Sequence, residues 1–127
     1  MTGASVAAFE PSAGAVSSVR LADGRVVACG VAIAGTGALA NDTLAAAAGL
    51  ACRDGIVVDE QCKTSDPAIY AIGDCTKRPL PRYGRTLRLE SVPNAIEQAK
   101  QAAAAICGAP PCRTEAPWFW SDQYGVR

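Results

Sequence analysis

Gly73-Asp74 closes a short apolar run at residues 68–72, and a turn, Ser65-Asp66-Pro67, leads into that run. Glycine has no Cβ, so a ligand can come close to the backbone there. The aspartate beside it supplies acceptors for hydroxyl groups. In open α/β sheets, ligands gather at the carboxyl ends of the strands. The pair therefore sets one negative charge where a polyhydroxylated ligand would lie. An ordinary strand end, with Asp74 capping the next turn, fits the same residues.

A second candidate lies some twenty residues on. Ser91 or Val92 stands at the cap of a helix expected over residues 94–107, with Pro93 in its first turn, where a missing N–H costs nothing. Alanine and glutamine fill the interior, Gly108 ends the helix, and Pro110-Pro111 prevent continuation. Such a helix is about 20 Å long. Free N–H groups and about half a positive charge gather at its start. A plain capped helix on a sheet has the same pattern.

Other groups are weaker signals. Residues 77–88 read as a basic loop, with Lys77, Arg78, Arg82, Arg85 and Arg88 and no acid. Residues 117–124 place four aromatics in eight positions: Trp118, Phe119, Trp120 and Tyr124. Six cysteines are present without a C-x-x-C pair, and histidine is absent. Zinc or iron–sulfur ligation therefore has little support, and an imidazole general base is excluded. Free buried thiols are the expected state of the cysteines.

The elements that must position these groups follow from patterning. Residues 15–21 and 25–34 read as two strands joined at Ala22-Asp23-Gly24, since Asp-Gly between apolar runs marks a hairpin. Asn41-Asp42-Thr43 caps a short helix to about residue 48, stopped by Gly49. Residues 55–59 and 68–72 read as strands. The order β, β, α, β, β, α gives an α/β or α+β layer architecture.

Gly35-Thr-Gly37-Ala-Leu-Ala40 matches G-x-G-x-x-A, with Asp59 about twenty residues further on. Asp42 would stand in the first turn of the following helix, where a pyrophosphate needs the positive end of the dipole. That helix is also short, so a glycine-rich crossover is the better reading.

The chain has 127 residues, half of them apolar, with 12 basic and 12 acidic side chains. Length predicts one globular domain. Balanced charge gives no reason to expect nucleic acid or a membrane surface as partner. No run of about 18 apolar residues predicts a membrane span, and residues 1–13 do not read as a signal peptide. A cytoplasmic location is the default expectation.

Taken in order, the motifs resemble one family, the flavoprotein NAD(P)H:ferredoxin reductases that serve oxygenases. These include the putidaredoxin, rubredoxin and biphenyl-dioxygenase ferredoxin reductases. The residues that carry the resemblance are Leu21-Ala-Asp-Gly24, Gly35-Thr-Gly37, Ala48-Gly49-Leu50, Gly55-Ile-Val-Val-Asp59, Thr64-Ser-Asp-Pro67, Ile69-Tyr-Ala-Ile-Gly-Asp74, Arg88-Leu-Glu-Ser-Val92, Asn94-Ala95, Glu97-Gln98-Ala99 and Pro117-Trp-Phe-Trp-Ser-Asp-Gln-Tyr124. The Gly-Asp strand is shared by many flavoproteins with two dinucleotide domains. The Arg-Leu-Glu-Ser-Val and Pro-Trp-Phe-Trp-Ser-Asp-Gln-Tyr segments are more specific.

The resemblance implies an α/β fragment of a two-dinucleotide-binding-domain flavoprotein, lacking both glycine fingerprints. Residues 1–34 would be the terminal strands of the NAD domain. Residues 35–108 would be the returning half of the FAD domain, and 109–127 the start of the C-terminal domain. It implies FAD as cofactor, NAD(P)H as substrate of the whole family member, and a ferredoxin or rubredoxin-type acceptor. It carries cofactor binding onto Gly73 and Asp74 at the ribityl chain, Ser91 and Val92 at the pyrimidine edge, and Trp120 beside the ring. Glu90 falls near the nicotinamide pocket, and the basic loop would steer an acidic ferredoxin. Two rivals remain: a non-catalytic truncated remnant or interaction module, and a small cysteine-based metal or redox protein.

Overall fold

A computed structural model describes residues 3–122 and 125. The chain divides into two compact units, Met1–Gly37 and Ala38–Arg127, so the break falls in the glycine crossover rather than leaving one domain.

The first unit is a three-stranded antiparallel sheet: β1 (Val6–Ser12), β2 (Ala15–Leu21) and β3 (Val26–Ala28), in that order. The Asp23-Gly24 turn forms as expected, with the Asp23 carboxylate accepting from the Arg25 N–H at 3.1 Å. The second strand of that hairpin is three residues long, not ten. Strand β1 escaped the sequence reading because Pro11 interrupts it. The register shifts between Glu10 and Pro11, and an edge strand tolerates proline at such a bulge.

The second unit holds α1 (Thr43–Ala47), β4 (Ile56–Val57), β5 (Thr76–Leu80), β6 (Arg85–Arg88) and α2 (Val92–Ile106). Strand β5 pairs in parallel with β4 and antiparallel with β6. Gly55 stands at the sheet's start with φ +110°, and a Cβ there would lie 2.9 Å from the Cys75 carbonyl oxygen. No other residue fits without a shift of the backbone.

Two expectations fail here. Residues 77–88 are a β-hairpin, not a loop, turning through a short 3-10 segment, Pro81–Tyr83, and Gly84 in the left-handed conformation. Residues 68–72 are not a regular strand, and their ladder is one bridge, Lys63 to Tyr70. A strand needs a neighbour, and no second strand lies along this run among the described residues. Ile69 and Ile72 stay partly exposed as a result.

The crossover likewise lacks a phosphate-binding helix. α1 has five residues, the Asp42 carboxylate accepts from the Gly55 N–H at 3.1 Å, and Asp59 Oδ1 accepts from Gln61 and Lys63 N–H. Both carboxylates are thus used by the local backbone.

The packing of α2 on β5 inverts the usual rule. The inward face of β5 is Thr76, Arg78 and Leu80. Against it α2 sets Asn94, Gln98, Gln101 and Ala102, which are buried, while Val92, Ile96 and Ile106 are exposed. Spacings of three and four put those polar residues on one helix face. Burial of polar groups is costly unless they are hydrogen-bonded, and here these side chains bond to one another, although the buried Arg78 Nε has no hydrogen-bond partner among the described residues.

Cys62 is part of this layer. It is 1% exposed, and its thiol donates to the Gln98 carbonyl oxygen at 3.5 Å. Burial pushes its pKa up to about 11, opposed by the nearby Arg78 cation and aided by the Asp59 and Glu97 carboxylates. The folded state therefore keeps a proton that the unfolded thiol loses near pH 9.0. Stability should fall as pH rises from about 9 to 11, by an amount on the order of 2 kcal/mol. Denaturant titrations of the wild type and Cys62→Ala across that range would reveal it as a difference in slope. Parallel pH profiles would refute it. Exposed Cys107 and Cys112 should react with a thiol reagent before unfolding, and Cys62 only after it.

Candidate functional site

Gly73 and Asp74 open the tight turn that leads into β5. Gly73 has φ +83°, with nothing within 4 Å of where its Cβ would be, so the space over this peptide is open. Its N–H donates to Gln98 Oε1 at 2.7 Å. Its carbonyl accepts from the Thr76 hydroxyl at 2.8 Å and from the Thr76 N–H at 3.1 Å. The Asp74 side chain is exposed and has no hydrogen bond or ion pair among the described residues.

Helix α2 starts as expected. Ser91 is the N-cap, extended in its backbone, and its hydroxyl accepts from the Asn94 N–H at 3.3 Å. Ala95 N–H donates to the Ser91 carbonyl at 3.0 Å, and Pro93 has no N–H. Val92 N–H is thus the donor of the first turn left without a partner among the described residues. No acidic residue stands in that turn, so the positive end of the dipole is not offset locally.

A cavity of about 620 Å³ opens at this end of the helix. Ser91, Val92, Pro93, Leu89, Leu80, Trp118 and Trp120 are in its wall, with Arg78 and Glu97 at the polar side. The two tryptophan rings stack at a tilt, their centroids 5.4 Å apart. Gln123 and Tyr124 of the aromatic tail lie outside the described residues. The Glu97 carboxylate holds that tail by accepting from the Glu115 N–H at 3.1 Å.

Of the five site residues read from sequence, Ser91, Val92 and Trp120 share this cavity. Gly73 and Asp74 do not line it, although Gly73 is tied to the same helix through Gln98. Glu90 is ion-paired with Arg88, which also meets Asp54 at 3.3 Å. The basic stretch divides: Arg78 is buried against Glu97 at 3.0 Å, Lys77 lies 3.7 Å from Asp54, and only Arg82 and Arg85 stand outward without an ion pair among the described residues.

Sequence reasoning gave Thr76, Asn94 and Gln98 no part in the site and put Arg78 in a basic loop, whereas the structure buries all four together. Their signal was present in the polar positions 94, 98 and 101, which share a face, but polarity on a helix ordinarily marks the solvent side.

Residues 1–99 match the pyridine nucleotide-disulphide oxidoreductase family. The chain belongs to that family. Within it, the chain is 52% identical to a probable ferredoxin reductase of Castellaniella defragrans, covering 100% of this chain and 31% of that protein. It is 47% identical to putidaredoxin reductase of Pseudomonas putida, over 98% of this chain and 30% of that protein. The crystal structure of a covalent putidaredoxin reductase–putidaredoxin complex superposes with a TM-score of 0.87 at 48% identity, covering 98% of this chain and 30% of that one. The chain thus spans about three tenths of the length of these pyridine nucleotide-disulphide oxidoreductases.

Among the described residues no three His, Cys, Asp or Glu side chains cluster as metal ligands, and no helix is long and apolar enough to cross a membrane.

Proposed function

We propose that this chain is the flavin-facing part of an FAD-dependent NAD(P)H:ferredoxin reductase that passes electrons to a ferredoxin- or rubredoxin-type acceptor. The observation that carries this reading is the unpartnered Asp74 carboxylate on a turn whose backbone is open to approach. The residues fit the cofactor. Asp74 would accept from the ribityl hydroxyls in charge-assisted bonds. Val92 N–H and the α2 dipole would face the pyrimidine edge and favour negative charge there. Trp120 would cover the ring and exclude water.

Bound FAD would supply the exchange between a two-electron nicotinamide donor and a one-electron acceptor. The chain's own part is position and charge. Residues 1–34 belong in this reading to the NAD domain, 35–108 to the FAD domain and 109–127 to the C-terminal domain. A cytoplasmic setting suits its reduced thiols.

Titrating FAD into the purified chain tests the reading directly. Saturable quenching of flavin fluorescence, with a shifted absorbance band, is expected. A chain that leaves the flavin spectrum unchanged would favour the non-catalytic remnant instead. Arg82 and Arg85 form the outward basic pair that would steer an acidic ferredoxin. Reversing both to glutamate should weaken ferredoxin binding severalfold at low salt and have little effect at high salt. Equal loss at both salt concentrations, or none, would remove the steering role.

A further inference from the structure

Gln98 is a fully buried amide, 0% exposed, in the second turn of α2. Its Oε1 accepts from Gly73 N–H at 2.7 Å and from Asn94 Nδ2 at 3.2 Å. Its Nε2 donates to the Thr76 hydroxyl at 2.9 Å. That hydroxyl has one proton, and the short bond to the Gly73 carbonyl, 2.8 Å, takes it. Both ends of the Gly73 residue are therefore held, the N–H by Gln98 and the C=O by Thr76. Asn94 continues the chain of bonds, donating to the Leu89 carbonyl at 2.9 Å, just before the Ser91 cap. One side chain thus joins the carboxylate-bearing turn to the first turn of the helix.

We infer that Gln98 is the positioning residue of the site, fixing the Gly73-Asp74 turn in register with the open end of α2. The assignment of what is positioned rests on the flavin reading above. Hydrophobic contact would hold the helix on the sheet but not set this register, because apolar packing is non-directional. Hydrogen bonds to a buried amide have fixed directions and are costly to leave unmade. A leucine at position 98 fills similar volume and keeps the packing but releases the Gly73 peptide. The turn would then sample other orientations, with Asp74 swinging through solvent.

Two measurements on the full chain separate the positioning claim from the flavin reading. Amide hydrogen exchange at Gly73 needs no cofactor. In Gln98→Leu it should quicken at least tenfold, while the amides of residues 103–106 in α2 keep their protection. Gln98→Glu retains an acceptor for the Gly73 N–H and should restore much of that protection. Thr76→Val, which removes the hydroxyl bonded to both Gln98 Nε2 and the Gly73 carbonyl but keeps the Thr76 N–H bond to that carbonyl, serves if Gln98→Leu does not fold. Unchanged exchange at Gly73 in Gln98→Leu would overturn the assignment.

FAD titration gives the second readout. Gln98→Leu should weaken binding at least tenfold, and the double variant with Asp74→Ala should bind no more weakly than Asp74→Ala alone. Additive losses would mean that Gln98 acts by some route other than Asp74. A wild-type chain that binds no FAD would refute the flavin reading and leave the exchange result to decide the role of Gln98 in the turn.

Discussion

Arg78→Met should lower the stability of the unit spanning residues 38–127 by about 3 kcal/mol, a large share of what such a domain has. Arg78 is 2% exposed, and its Nη1 lies 3.0 Å from Glu97 Oε1 and 3.2 Å from Asn94 Oδ1. Methionine matches its bulk but leaves Glu97 without its counter-charge and the Asn94 oxygen without a donor. The pair itself need not be worth that much, since burying two charges costs almost what their attraction returns. The penalty comes from stranding one partner. Arg78→Met with Glu97→Gln should therefore recover part of the loss, with a coupling of about 1–3 kcal/mol. Urea midpoints read by far-ultraviolet circular dichroism would measure both variants. A single-variant loss below about 0.5 kcal/mol would place Arg78 with ordinary surface arginines, against its burial.

The same residue shows where sequence reading succeeds and where it stops. Asp23-Gly24, Ser91-Val-Pro93 and Gly108 are local signals, and the turn, the helix start and the helix end lie where they point. Their physics is contained in a few consecutive residues, so no knowledge of the rest of the fold is needed. Arg78 is different. In sequence it is one of five cations without an acid nearby, and its partner, Glu97, is nineteen residues away on another element. Strand β5 alternates Thr76, Lys77, Arg78, Pro79, Leu80, a pattern whose inward face is polar at two positions of three. Only the matching polar face of α2 makes that stable, and neither half is recognisable alone. The 68–72 run fails in the opposite sense. Its apolar composition asks for a buried strand, yet a strand is a property of a pair, and the described residues offer it a single bridge. Gly73-Asp74 was legible as a candidate because its pattern is contained in two neighbouring residues. The tie between that turn and helix α2 was not, because it passes through Gln98.

Asp74→Ala should weaken FAD binding by about tenfold to a hundredfold, the loss of a hydrogen bond to a charged group. The fold should be indifferent: this side chain has no partner among the described residues, and such surface changes stay within about 0.5 kcal/mol. That contrast is the diagnostic part. A carboxylate retained for stability would show its loss in the melting temperature, and one retained for a ligand shows it in affinity alone. Asp74→Asn refines the result. It keeps one carbonyl acceptor in the same place and loses the charge, so it should fall between the wild type and Asp74→Ala if ribityl hydroxyls donate to this group. Fluorescence titration with FAD, beside thermal unfolding of each variant, measures both quantities. Equal affinity in all three chains would break the link between the Gly73-Asp74 turn and the flavin, and with it the reason to read the open backbone at Gly73 as a place of approach.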